Sequence, residues 1–368
     1  MPKVPEPRGG ISREGLRTLY PGYFALVMAT EIVSTALLTG TPGLSGLSTA
    51  LWGIGGVAYV VLWVLYLLRA VRFGADFGRD LADPSRAFAF FTVTAASNVL
   101  AVRSLLAGWV TPALVLGAVG AATWLGLVYG LFAQFIVRET VAFGAVNGAW
   151  LIAVVAEQSV ATLASALALG PGSPRALFTL VALVFWAMGV VLYLLFIGLV
   201  LDRLLFAPIT ASDLTPPYWI NMGATAITVL AAARLLLLPH PPVLLGLLRP
   251  FVAGTALVLW AWGSWWIPLL VLLGIWKYAG GRERPTYHPA EWSIVFPLGM
   301  YATATLTFAR VPGVHLLAPI GEAFVWVGLV AWAAVAGLGL GSWVARRLAP
   351  RRGPERPLAG GPTPDTHP

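Results

Sequence analysis

Long apolar stretches alternate along the chain with short polar or charged interruptions, and the stretches come in pairs. A bilayer core about 30 Å thick takes roughly 20 apolar residues of helix to cross. The pattern predicts spans over residues 20–40, 48–70, 86–107, 112–137, 148–169, 176–201, 217–238, 250–276, 291–311 and 318–345. Only helices and closed barrels satisfy their backbone groups in lipid, and these runs are too long and continuous for barrel strands. The chain therefore reads as an all-α integral membrane protein with ten transmembrane helices.

An aromatic residue repeats at the head of every second stretch. Phe24, Phe88, Trp150, Trp219 and Trp292 are spaced by 64, 62, 69 and 73 residues. Two to four positions before them stand Pro21, Pro84, Asn147, Pro217 and Pro289, residues suited to a helix cap or first turn. Each repeat is long enough for one helical hairpin, and the echo gives the five odd spans equivalent places. Five hairpins around a common axis enclose a central pore or substrate path.

Polar residues say which spans face that axis. In 21-residue windows the odd spans hold 25 polar or charged side chains and the even spans 8. Polar groups in lipid are costly, so the odd helices are expected inside and the even helices outside. The polar positions also keep helical spacing: Asn221, Thr225 and Thr228; Gln158, Thr162 and Ser165; Thr94, Ser97 and Asn98; Thr303, Thr307 and Arg310. Each set shares one face. Five helices with one bias favour a polar inner path, lined by Asn98, Asn221, Thr225, Thr303 and Thr307. The alternative is that these side chains tie helices together.

Composition agrees with the membrane reading. Charged residues are 10% and hydrophobic residues 58% of the chain, against about 25% charged in soluble domains. The net charge of +8 is a topology signal: 18 of the 23 Lys and Arg lie on the tails and even-to-odd loops. Positive loops stay cytoplasmic, so both termini are expected inside the plasma (inner) membrane, and nucleic-acid binding is not needed to explain the charge. Residues 1–19 read as a basic cytoplasmic segment, 20–347 as the membrane transport domain and 348–368 as a disordered cytoplasmic tail. There are no cysteines. His240, His288, His315 and His367 lie in loops or the tail, without partners at metal-ligand spacing. No catalytic centre, metal or cofactor is expected.

Three stretches, Tyr20–Ser34 (YPGYFALVMATEIVS), Pro216–Leu230 (PPYWINMGATAITVL) and Trp292–Thr305 (WSIVFPLGMYATAT), resemble the tellurite-resistance/C4-dicarboxylate transporter family. That family includes bacterial tellurite-resistance proteins, fungal malate and sulfite transporters and plant guard-cell slow anion channels. The resemblance covers residues 18–347. It implies five hairpins around a pore, a homotrimer with one pore per subunit, and an anion as cargo. It also implies a phenylalanine plug, whose matching position is Phe296. From Phe296, steps of four and three reach Met300, Thr303, Thr307 and Arg310, and Pro297 is expected to bend the helix beside it.

Arg103 and Arg234 each lie 15 residues after their repeat's aromatic, about 22 Å along the helix. With Arg310 they are expected near the outer end of the path, where guanidiniums attract anions. Their forked donors suit carboxylates and oxyanions. Interfacial snorkelling or pairing with an acid is the alternative. Glu31 and Glu157 each lie seven residues after their aromatic. A carboxylate in an anion path opposes its cargo, so these are expected to be protonated, as proton sites that accompany the anion, or paired with Arg. A small inorganic or carboxylate anion and the bilayer are the expected partners. A transporter of small anions, a C4-dicarboxylate or a sulfite- or tellurite-type oxyanion, is the first reading and a passive gated channel the second; a membrane enzyme is the rival of another class.

Overall fold

The computed structural model describes residues 13–137, 141–279 and 286–348. The tail expected to be disordered lies, from residue 349, outside the described residues, as does the start of the basic leading segment. Ten helices carry the architecture among the described residues: α1 (Ala25–Gly40), α2 (Ser45–Arg72), α3 (Thr92–Leu106), α4 (Val110–Val137), α5 (Leu151–Ala168), α6 (Arg175–Phe206), α7 (Ile220–Leu236), α8 (Val243–Tyr278), α9 (Trp292–Phe308) and α10 (Ala318–Leu348). Two short helices, Arg13–Arg17 and Gly74–Ala82, accompany them.

The odd helices have 15 to 18 residues and the even helices 28 to 36. Eight helices, counted with their leading turns, are long and apolar enough to cross a membrane among the described residues. The protein is thus a multi-pass membrane protein. α1 is apolar but shorter than those, and α9 is not among them. Both are enclosed by other helices, and a helix that meets protein along its sides has no need of 20 lipid-compatible residues. The apolar windows of α3, α5 and α7 are 89% to 94% buried, and those of the even helices 11% to 39%. That contrast places the odd helices inside.

The odd helices touch in a closed cycle: α1 with α3, α3 with α5, α5 with α7, α7 with α9, and α9 with α1. Each also packs against the even helix that follows it in the chain. The junction within each pair is set by one buried glycine on the even helix. A Cβ at Gly55, Gly120, Gly189 or Gly263 would collide with Glu31, Asn98, Gln158 or Thr225, and one at Gly328 would press on the α9 backbone at Gly299. Close approach of two helices in a membrane depends on such small residues.

The recurring aromatics fall at a change of helix type. Phe88, Trp150 and Trp219 lie in 3₁₀ turns (Ala87–Phe91, Gly148–Trp150 and Pro216–Trp219) just before α3, α5 and α7. The turn Pro289–Glu291 precedes Trp292, the first residue of α9, and Phe24 is the N-cap of α1. At the other end of the odd helices, the turns into α4, α6 and α10 contain Gly108, Gly172 and Gly313 at φ 83°, 69° and 91°. The turn into α8 has His240 at φ 51° instead.

Candidate functional site

The inner helices begin around one cavity. It measures about 430 Å³ and takes lining residues from all five repeats: Tyr20, Ser85, Asn147, Tyr218 and His288, with Arg203 and Lys277 from the ends of α6 and α8. The turns that build it hold one another directly. Trp150 Nε1 donates to Pro84 O at 3.1 Å, and Asn147 Nδ2 to Ser85 O at 3.2 Å. A Cβ on Gly148 would meet the backbone of Pro217 and Tyr218. His288 meets Tyr20 edge to face, with ring centroids 5.0 Å apart. Phe88 stacks on Trp150 at 4.5 Å.

This geometry has an electrostatic consequence. A helix N-terminus carries roughly half a positive charge, from unpaired N–H groups and the aligned peptide dipoles. Inner-helix N-termini converging on one cavity make it a favourable place for an anion. Side-chain charge is close to balanced there. Arg203 Nη2 pairs with Asp213 Oδ1 at 3.2 Å, and Lys277 Nζ donates to Leu214 O at 2.9 Å. Arg86 Nε lies 2.8 Å from Asp80 Oδ1, and Arg69 Nη2 2.6 Å from Asp80 Oδ2. Asp213 is held below the usual carboxylate range by the Thr210 hydroxyl and backbone N–H. Among the described residues no group of three or more His, Asp or Glu side chains converges to hold a metal ion.

Phe296 lies on α9 and is fully buried. Its neighbour across the ring is Gly223 on α7, where an added Cβ would stand 3.3 Å from Phe296 Cε1 and 3.0 Å from Pro297 Cγ. The glycine makes room for the bulky Phe-Pro pair.

The five neutral side chains expected along the path are buried. Thr303 and Thr307 donate to Gly299 O and Thr303 O of their own helix, at 3.0 and 2.7 Å. Asn98 Nδ2 donates to Ser159 on α5 at 2.9 Å, Thr225 to Met222 O at 2.8 Å, and Asn221 Oδ1 accepts from Tyr193 on α6 at 2.8 Å. The last contact belongs to a series. Even helices donate to the inner helix of the next repeat: Tyr59 shares a 2.8 Å bond with Ser97, Trp124 Nε1 donates to Glu157 Oε2 at 2.6 Å, Trp260 Nε1 to Thr305 at 3.0 Å and Trp332 Nε1 to Thr30 at 3.0 Å. The last of these closes the circle from α10 back to α1. Much of the polar bias of the inner helices is therefore used sideways.

The charged candidates are held by different helices. Arg103 donates from Nε to Ser34 Oγ at 2.8 Å and from Nη2 to Ser48 Oγ at 3.1 Å, with its guanidinium 5.1 Å from the Trp52 ring centre. Arg234 is buried and donates to Thr162 O of α5 at 3.0 Å. Arg310 is exposed beyond the end of α9. Glu31 is fully buried against Gly55, and neither carboxyl oxygen has a hydrogen-bond partner. Glu157 has one oxygen on Trp124 and the other unpartnered. The two acids stand on α1 and α5, which are not neighbours in the cycle.

Against this geometry stand the sequence comparisons. Residues 18–340 match the voltage-dependent anion channel family. The chain belongs to that family. It is the family already visible in the three quoted stretches. An uncharacterized membrane protein of Mycobacterium tuberculosis is 43% identical over 141 residues, which is 38% of this chain and 71% of the relative. An uncharacterized transporter of Methanocaldococcus jannaschii is 23% identical over 329 residues, 86% of this chain and 92% of the relative. Family membership makes this chain an anion transporter or channel.

Sequence reasoning passed over the cavity. Tyr20, Asn147 and His288 each lie three or four residues before a marker aromatic. That shared offset was the signal that they form one layer.

Proposed function

We propose that the chain moves small anions along a central path through five helical hairpins, ten spans in all, with the cavity at the N-terminal ends of the inner helices as its cytoplasmic vestibule. The observation that carries this reading is the convergence of the repeats' N-terminal turns on one cavity. Its helix ends attract anions and its hydroxyl and amide side chains can replace part of an anion's hydration. The cytoplasmic assignment, with both termini inside the inner membrane, rests on the excess of Arg and Lys at that end.

Phe296 is the proposed gate. It is bulky, fully buried, and adjoined by a proline that loosens α9. The cargo class we propose is a C4-dicarboxylate or a sulfite- or tellurite-type oxyanion. Arg103, Arg234 and Arg310, toward the far end of the inner helices, would supply positive potential there. Glu31, with no partner on either oxygen, is the better placed of the two acids to carry a proton with the anion; Glu157 is the second. The homotrimer is proposed on the family resemblance alone. A passive channel is the second reading, favoured by the family's description as voltage-dependent anion channels and by the sealed position of Phe296.

The test is flux and current in liposomes containing purified protein, under chloride, malate and sulfite gradients. Phe296→Ala is expected to raise passive anion flux by an order of magnitude or more, as a plug's removal would. Large currents in the variant favour the channel. Silent currents with malate or sulfite accumulation driven by a pH gradient favour the carrier, and Glu31→Gln should then abolish the accumulation. No flux of any of the three anions in either protein sinks the proposed function.

A further inference from the structure

We propose that His288 is a proton-dependent anion-binding residue of the vestibule, and that its protonation couples acidity on that side to anion entry and to the start of the gate helix α9. The inference rests on the anion-path reading and deepens it by naming the regulation of the same site.

Geometry comes first. His288 is the N-cap of the turn Pro289–Glu291. Its Nδ1 accepts from the Ala290 N–H at 3.1 Å. An accepting Nδ1 fixes the neutral tautomer with its proton on Nε2. The side chain is exposed and lines the vestibule, so the imidazole can offer Nε2–H to an anion. Partial burial and the Arg86 guanidinium hold His288 below the ordinary histidine value, so the neutral ring is favoured and acidification adds its second proton.

Protonation has two effects here. It adds a full positive charge to a cavity already favourable to anions. It also replaces the Nδ1 acceptor by a donor, so the Ala290 N–H loses its cap partner. That bond lies eight residues or fewer before Phe296, and the loss loosens the turn that leads into the gate helix. Other charged groups around the ring are Arg86, held by Asp80, and across the cavity Lys277, Glu291 and the Arg203–Asp213 pair; Tyr20 packs against the ring itself.

The chain holds its own control. Asn147 occupies the matching place in the third repeat, where its Oδ1 accepts from the Ala149 N–H at 2.8 Å. An amide makes the same cap and never titrates. His288→Asn should therefore keep the turn and lose the proton response, whereas Asn147→His should add a second titrating cap.

The experiment uses right-side-out and inverted membrane vesicles, so that pH is stepped from 7.5 to 5.5 on the vestibule side alone. Flux of chloride, malate and sulfite is followed. Wild type is expected to gain roughly threefold to tenfold on acidification, the scale of one added charge about 4–6 Å from an anion across water in a wet vestibule. His288→Asn should lose that acid step whatever its flux at pH 7.5, and Asn147→His should enlarge it. An acid step of full size in His288→Asn, or no step in a wild type that carries flux, overturns the inference. Absence of flux in every protein at every pH instead overturns the anion-path reading beneath it.

Discussion

Helix α2 buries seven of its 28 residues, and α3 buries thirteen of its 15. The seven on α2 are Ser48, Leu51, Gly55, Tyr59, Leu62, Tyr66 and Arg69, spaced by three and four, so they form one stripe. Within that stripe lie the glycine that admits Glu31 and the tyrosine that bonds Ser97. The rest of α2 is apolar surface suited to lipid. α3 has no such division: every residue from Thr92 to Ser104 is buried, polar ones included. The comparison shows that a membrane helix can be rich in polar groups for two reasons. It can line a path, or it can supply the acceptors that surrounding helices need. Here Trp and Tyr of the even helices reach across to Ser, Thr, Asn and Glu of the odd ones. In lipid a buried indole or phenol donor has no water to turn to, so each such bond also fixes which helix neighbours which.

The sharpest way to break this contrast is to put the same side chain on the two faces of one outer helix. Gly328 on α10 faces the α9 backbone, where an added Cβ would lie 3.3 Å from Gly299 Cα. Gly337 on the same helix is exposed with open space around it. Gly328→Val must push α9 and α10 apart, a strain of about 1–3 kcal/mol or more. A clear drop in thermal stability and in monodisperse yield from detergent is expected. Gly337→Val should behave as wild type. Equal behaviour of the two would mean that the close pairing of α9 with α10 does not hold the fold.

A smaller effect tests the sideways use of polar groups. Tyr193 on α6 is buried, and its hydroxyl donates to Asn221 Oδ1, while Asn221 Nδ2 has no partner. Tyr193→Phe leaves the whole amide unsatisfied and should cost about 1–2 kcal/mol. Tyr129 on α4 is 65% exposed, so Tyr129→Phe should leave the melting temperature unchanged. If Tyr193→Phe melts like wild type, the amide finds another partner, and Asn221 becomes free to serve the path.

The pairing of stretches, the membrane class and the inside–outside division were legible because they follow from bulk partition of apolar and polar residues. The five marker aromatics were legible too, through their spacing. What the sequence hid is direction around each helix. A spacing of three or four puts Thr225, Asn98 or Glu31 on a face with its helical neighbours but cannot say which helix that face meets. The decisive partners are on the outer helix of the same repeat: Gly263 for Thr225, Gly120 for Asn98 and Gly55 for Glu31. Glycines in an apolar run carry no sign of the side chain they admit. The vestibule was hidden for a related reason. Tyr20, Ser85, Asn147, Tyr218 and His288 are each ordinary loop residues, and only closure of the cycle brings them to one cavity.

The smallest effect lies in the turns between odd and even helices. Of the five turns, three place glycine in the left-handed region and the turn into α8 places His240 there at φ 51°. A side chain in that region carries a steric cost of roughly 1–2 kcal/mol. Glycine removes it but loses more chain entropy on folding, about 0.5–1 kcal/mol. The balance predicts that His240→Gly raises stability by about 0–1.5 kcal/mol, seen as a melting temperature up to a few degrees higher. Anion flux should not change, because this turn lies at the opposite end of α7 from the vestibule. A lower melting temperature would show that the imidazole makes a contact worth more than the strain, and the fourth turn would then differ from the others for a reason of its own.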